Sequence, residues 1–207
     1  MKTIFRVSLM TLFAVICKAE DQCECLPGDI LENLPNILEF RNAWDFLKTT
    51  DRLNLLYLPY WYQLNGKQCV TSEFKFASFT TIIRTINYIN SLARTQKSET
   101  KTVTLTMEER QQKPRRSTYF TTNNFSQLHN KFPIYYYDSK CLIFKMTERS
   151  SDGRIGCALW VRDDDKDKEL TFCKFIYKIF CRMNPRHVYQ KQACDELVPK
   201  SRKLTKN

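Results

Sequence analysis

The sequence predicts an all-β domain of eight short antiparallel strands, stapled by disulfides, with a short helix before the strands and a side helix after them. Three observations carry this. Stretches of alternating polarity recur from Leu53 to Arg162, each bounded by polar or turn-forming residues. Ten Tyr and fourteen Phe against only four Gly suit an aromatic-rich sheet interior. Eight of the nine cysteines stand behind what reads as an export leader, the setting in which cysteines become cross-links.

The leader comes first. Met1 to Arg6 carries two cations, Val7 to Ile16 is apolar, and Cys17-Lys18-Ala19 places small side chains at −3 and −1 of a cleavage site. Residues 1–19 are therefore expected to be a signal peptide. The apolar run is too short to span a bilayer, which takes about 20 residues. No other stretch is apolar enough, so a secreted, extracellular chain with no membrane association is expected. Cleavage removes Cys17 and leaves Cys23, Cys25, Cys69, Cys141, Cys157, Cys173, Cys181 and Cys194. An even set in an exported chain implies up to four disulfides. Zinc has no CxxC pair or neighbouring histidine to hold it, and neither a metal nor another cofactor is expected.

Residues 20–198 form the expected folded domain, and 199–207 a basic tail. Residues 20–40 read as an irregular lead-in, and Arg41 to Lys48 as a short helix with Trp44 and Leu47 on one face. Leu53 to Leu64 is the first extended segment, ended by the hairpin dipeptide Asn65-Gly66. From Val70 the parity is clear: Val70, Ser72, Phe74 and Phe76 fall on one side. Thr80 to Ile89 sets Ile82, Arg84, Ile86 and Tyr88 against Ile83, Thr85, Asn87 and Ile89. Thr102 to Met107 alternates three threonines with Val103, Leu105 and Met107. Ser117–Thr122, Phe132–Tyr137, Cys141–Met146 and Ile155–Arg162 complete eight strands. Such a series makes an antiparallel sandwich or an up-and-down barrel, and an eight-stranded barrel has room for one small ligand.

Beyond Asp163 the period changes to that of a helix. Lys174, Lys178 and Arg182 share one side, with Phe172, Cys173, Ile176, Ile179 and Phe180 opposite, until Asn184-Pro185 ends it. The run Asp163-Asp164-Asp165 lacks the glycine and distal glutamate of a calcium loop and reads as a solvated turn. Asn124-Phe125-Ser126 is the one N-glycosylation sequon, which makes Asn124 the candidate acceptor.

The net charge is +11, or +8 once Lys2, Arg6 and Lys18 leave with the leader. Much of the excess lies in Arg110–Arg116 and Lys200–Lys206. These read as solvated loop and tail, or as a source of attraction to anionic surfaces such as glycosaminoglycans. No basic-aromatic pattern points to nucleic acid. The two histidines, His129 and His187, sit in polar surroundings with no nucleophile elbow or metal spacing, so catalysis is not expected.

These residues resemble those of the tick salivary lipocalins, the group that includes the histamine-binding proteins. The likeness spans about Ala43 to Cys194. It rests on Ala43-Trp44, a Tyr-rich first strand ending near Tyr62, Cys69-Val70, Cys141 followed by apolar residues, Leu159-Trp160-Val161, Cys173 early in a helix, and Cys194. It implies an eight-stranded barrel that sequesters a host mediator, with disulfides Cys69–Cys194 and Cys141–Cys173. An N-terminal cysteine is then expected to reach Cys181 or Cys157.

The resemblance implies that amine binders of this group carry one acid just after the cysteine that Cys141 matches and another before the Leu-Trp pair. Those positions here are Leu142 and Ala158, with Asp51 and Glu99 left as distant candidates. A buried ammonium without a carboxylate is too costly. In related lipocalins that hold fatty acids or leukotrienes, an arginine from a similar region resembles a carboxylate partner. Arg84, on the inward parity, is the corresponding candidate anion anchor, since a guanidinium grips a carboxylate with two hydrogen bonds. An apolar pocket lined by Tyr62, Phe74, Tyr88, Phe144 and Trp160 around Arg84 is expected, for a fatty acid or leukotriene-like lipid. A biogenic amine or a host plasma protein, such as a complement component, remains the alternative partner. The protein is expected to be monomeric.

Overall fold

The computed structural model describes residues 42–62, 64–91, 97–112, 115–122, 131–149, 151, 153, 155–181 and 185–197. The leader, Cys23, Cys25, Asn124, His129, Arg182 and the basic tail lie outside these residues. Chain order is α1 (Trp44–Lys48), β1 (Leu53–Pro59), β2 (Lys67–Ala77), β3 (Thr81–Asn90), β4 (Lys97–Gln112) and β5 (Arg115–Thr122). Then come β6 (Lys131–Tyr137), β7 (Cys141–Arg149), β8 (Ile155–Arg162), a 3-10 turn (Asp163–Asp165), α2 (Thr171–Cys181), β9 (Pro185–His187) and α3 (Lys191–Leu197). Strands β2 to β8 pair in sequence, and β1 pairs with both β8 and β2, so eight strands close into a barrel. Every pairing is antiparallel.

Closure is imperfect along one seam, and the chain repairs it. β2 meets β1 only at Leu53↔Ser72 and Asn54↔Thr71. At a bulge near Cys69, which sits at φ 52°, β2 veers off. The edge of β1 opposite β8 would then carry unpaired backbone groups. β9 takes that edge, with Tyr57 pairing both Leu159 and His187. Asn65 and Gly66, at φ 47° and 78°, make the expected hairpin turn.

Two cores share the barrel wall. β1 is buried at all seven positions because it has one on each side: Leu53, Leu55 and Leu58 join the inner core, Leu56 and Tyr57 the outer one. On β7 and β8, Leu142, Phe144, Ala158 and Trp160 face in, while Cys141, Ile143, Cys157 and Leu159 face out. The outward cysteines meet α2. Cys141 bonds Cys173 and Cys157 bonds Cys181, and Cys69 bonds Cys194 on α3. Positions 173 and 181 lie about 12 Å apart along a helix, so two bonds clamp both ends of α2 to adjacent strands. Each cross-link should add roughly 3–5 kcal/mol of stability through the unfolded chain.

Several expectations are corrected. Cys157 and Cys181 pair with each other, so no N-terminal cysteine reaches either. Phe76 is 59% exposed, because the register shifts between Phe74 and Phe76 and breaks the parity of β2. Phe172 is 46% exposed, although its ring edge touches Tyr136; Tyr177 takes the inner place instead. The basic run is not a loop, since Arg110–Gln112 and Arg115–Arg116 belong to β4 and β5. The acidic turn is not merely solvated. Asp163 accepts from Arg52 Nη2 at 3.0 Å and from Asn54 Nδ2 at 3.0 Å. Lys168 meets Asp165 at 2.9 Å.

Candidate functional site: a cavity inside the barrel

The alternation of the strands directs one side chain in two inward, and what they enclose is a cavity of about 760 Å³. That size suits one small organic ligand. Its walls are aliphatic and aromatic, including Leu55, Val70, Val103, Leu105, Phe120, Phe132, Leu142, Phe144, Met146 and Trp160. Phe120, Phe132 and Phe144 form a packed trio with centroids 4.9–5.6 Å apart. Of the six ligand-binding candidates, Arg84, Tyr62, Tyr88, Phe144 and Trp160 line the cavity. Phe74 packs against the inner core but is not in the lining.

The two ends differ. At the floor, α1 plugs the barrel with Ala43, Phe46 and Leu47. A helix of five residues cannot stand alone, and its last carbonyls lack helical partners. Arg84 supplies them. Its Nη1 donates to Leu47 O at 2.7 Å and Thr49 O at 2.8 Å, and its Nη2 to Asp51 O at 3.0 Å and Ser72 O at 3.1 Å. Its Nε donates to Ser72 Oγ at 2.9 Å. A guanidinium has five N–H donors, and all are taken. Burial pulls its pKa down to about 10, against the raising influence of Asp51 and Glu73, and it stays cationic at neutral pH. The role expected of Arg84 as an anion anchor is therefore corrected: it faces inward, but it caps the plug and has no donor left for a ligand.

The mouth is built from the β1–β2 connection and the ends of β2, β3 and β4. Trp61, Tyr62, Leu64, Asn65, Lys67, Tyr88 and Lys101 line it. Trp61 lies across Gly156, where an added Cβ would fall 2.1 Å from Pro59 Cγ and 3.0 Å from Trp61 Cζ2. Only glycine lets that loop close so tightly over β8. Trp61 Nε1 is buried with no acceptor. Lys67 Nζ sits 5.3 Å over the Tyr88 ring, a cation–π contact. Tyr88 OH donates to Glu99 Oε2 at 2.8 Å, and Asn90 Nδ2 to Oε1 at 3.1 Å. Those two bonds hold the Glu99 carboxyl below the usual range.

Glu99 is thus spoken for outside the lining, and Asp51 is exposed beside Arg162 at 3.3 Å. Among the described residues the lining contains no Asp or Glu, and its charged members are Arg84, Lys67 and Lys101. Leu142 and Ala158, both 1% exposed, are apolar members of that lining. Three lining residues were not foreseen: Trp61 lies in a loop and Lys67 opens β2, where no alternation marks a side, while Lys101 shares the parity of Val103 and Leu105 but precedes the strand expected to begin at Thr102.

Among solved structures, the chain is similar to Japanin from Rhipicephalus appendiculatus bound to cholesterol. The TM-score is 0.54 at 15% identity, over 70% of this chain and 97% of that one, a likeness of fold. No curated protein is significantly similar in sequence. The profile of the tick histamine binding protein family matches residues 31–196. Together with the closed barrel and its flanking helix, that match closes the question of kinship: the chain belongs to the tick histamine-binding protein family of lipocalins.

Proposed function

We propose that this chain is an exported salivary lipocalin that sequesters an apolar host mediator ending in an anionic group, a fatty acid or leukotriene-like lipid. The observation that carries the reading is the sign of the lining. The walls are apolar, and the charged groups that line them are cationic. A hydrocarbon chain would fill the interior past the three phenylalanines. Its carboxylate would stay at the mouth, where Lys67, Lys101 and the indole N–H of Trp61 offer donors. Tyr62, Tyr88, Phe144 and Trp160 would supply aromatic contact along the way. The cholesterol held by Japanin is in keeping with a barrel of this shape holding a lipid. Histamine or serotonin would meet no lining carboxylate, and its desolvated ammonium would be left unpaired.

Titration of the secreted protein with arachidonate and with histamine tests this. Arachidonate should bind, and the double variant Lys67→Ala/Lys101→Ala should weaken it about tenfold, the scale of two half-exposed ion pairs. Tight histamine binding, or an arachidonate affinity indifferent to both lysines, would sink the proposal.

A further inference from the structure

Ser72 lines the cavity beside Arg84 at the floor and is 3% exposed. It stands on β2 opposite Leu53 of β1, on the side of the strand that faces into the barrel. Its Oγ accepts from Arg84 Nε at 2.9 Å, and its carbonyl oxygen accepts from Arg84 Nη2 at 3.1 Å. Both oxygens of the residue therefore serve the guanidinium as acceptors. A hydroxyl also carries a proton to donate. Among the described residues, the Ser72 O–H meets no acceptor within hydrogen-bond distance.

A buried donor left without an acceptor destabilises a fold by more than the bond contributes when it is made. Arg84 avoids that penalty by placing every N–H on an oxygen, and the Ser72 proton is what remains unmet at the floor. The same arginine sharpens this proton. A hydroxyl that accepts from a cation becomes a stronger donor, and low-dielectric surroundings strengthen any bond it makes. The side chains of Leu47, Leu53 and Val103, which line the same end, offer it no oxygen.

We infer that Ser72 is a specificity-determining residue whose hydroxyl donates to an oxygen at the inner end of the bound lipid. The favoured ligand is then an acyl chain oxygenated far from its carboxylate, rather than a plain one. This rests on the lipid reading above and adds a second polar contact to it, at the end opposite Lys67 and Lys101. A ketone or ether oxygen suits the site best, because it accepts and brings no proton of its own. A ligand hydroxyl has to place its hydrogen as well. An ammonium would set donor against donor and lie against the Arg84 cation. A chain ending in a bare methyl leaves the serine proton without a partner.

The test titrates the secreted protein with saturated fatty acids of graded length and with the same acids carrying a ketone next to the terminal methyl. Wild type should bind the keto acid about fivefold more tightly than its parent at the lengths that reach from mouth to floor. Two variants of matched shape then isolate the hydroxyl. Ser72→Thr keeps it, whereas Ser72→Val puts a methyl in its place and so keeps Arg84 Nε out of the ligand's reach. The threonine variant should retain the preference, and the valine variant should bind keto acid and parent alike. If the valine variant fails to fold, Ser72→Cys takes its place, since a thiol is only a weak donor. No preference at any length in wild type would overturn the inference and leave the lipid reading standing. So would a preference that survives in Ser72→Val or is lost equally in Ser72→Thr. Parent acids that do not bind at all would take down both readings.

Discussion

The floor and the mouth of this barrel both present cations to the same cavity, and they use them in opposite ways. At the floor, Arg84 is 1% exposed and spends every donor on protein oxygens, four of the five on main-chain carbonyls. At the mouth, Lys67 rests half-buried over an aromatic ring and Lys101 is exposed at the rim. A buried cation must be satisfied within the fold before any ligand arrives, whereas one at the rim can exchange water for a ligand at little cost. Inward direction alone therefore does not make a binding residue.

The sharpest way to break this contrast is to remove Arg84. Arg84→Met keeps the volume but orphans the carbonyls of Leu47, Thr49 and Asp51, and should destabilise the protein by roughly 3 kcal/mol in urea unfolding. A variant as stable as wild type that loses its lipid would return Arg84 to the role of ligand anchor. At the mouth, Gly156→Ala forces a methyl against Pro59 and Trp61. A loss of about 2 kcal/mol is expected, with altered tryptophan fluorescence and weaker ligand binding. An unchanged spectrum and affinity would show that Trp61 does not close on the ligand.

The smallest effect separates the two ends by pH. Below the floor, Asp163 is pulled up by burial, but the bonds from Asn54 and Arg52 outweigh it and hold the carboxyl below its ordinary 3.8. Asp195 is held low by Lys166 Nζ at 2.6 Å and Tyr189 OH at 2.7 Å. A depressed carboxyl contributes stability that is full above its unfolded value and is lost as pH falls through the folded one. The urea midpoint should thus hold from pH 7 to about 5 and drop below pH 4, by on the order of 1 kcal/mol given solvent screening. A midpoint flat to pH 3 would remove this network from the account of the closed end.

The strands were legible because alternation is a local signal: Leu142, Phe144, Ala158 and Trp160 face inward as their parity requires. It failed where a bulge shifts the register, as at Phe76, which no count of residues foresees. Of the candidate site, the aromatic wall and the missing acids could be read from the chain. Lys67 could not, because the first residue of a strand carries no constraint of period, and Lys101 was passed over because β4 begins at Lys97, five residues before the expected Thr102.

By itself, then, the sequence determined the eight strands of the barrel, the inward apolar face, and the absence of acids at positions 142 and 158. All of these are set by neighbours within a few residues. Only the tertiary structure decided that Cys157 bonds Cys181, that Trp61 crosses Gly156, and that Arg84 caps a helix some 35 residues before it. Those pairings depend on which distant backbone atoms closure of the barrel brings together, and a guanidinium with five donors takes whichever oxygens are fixed within its reach.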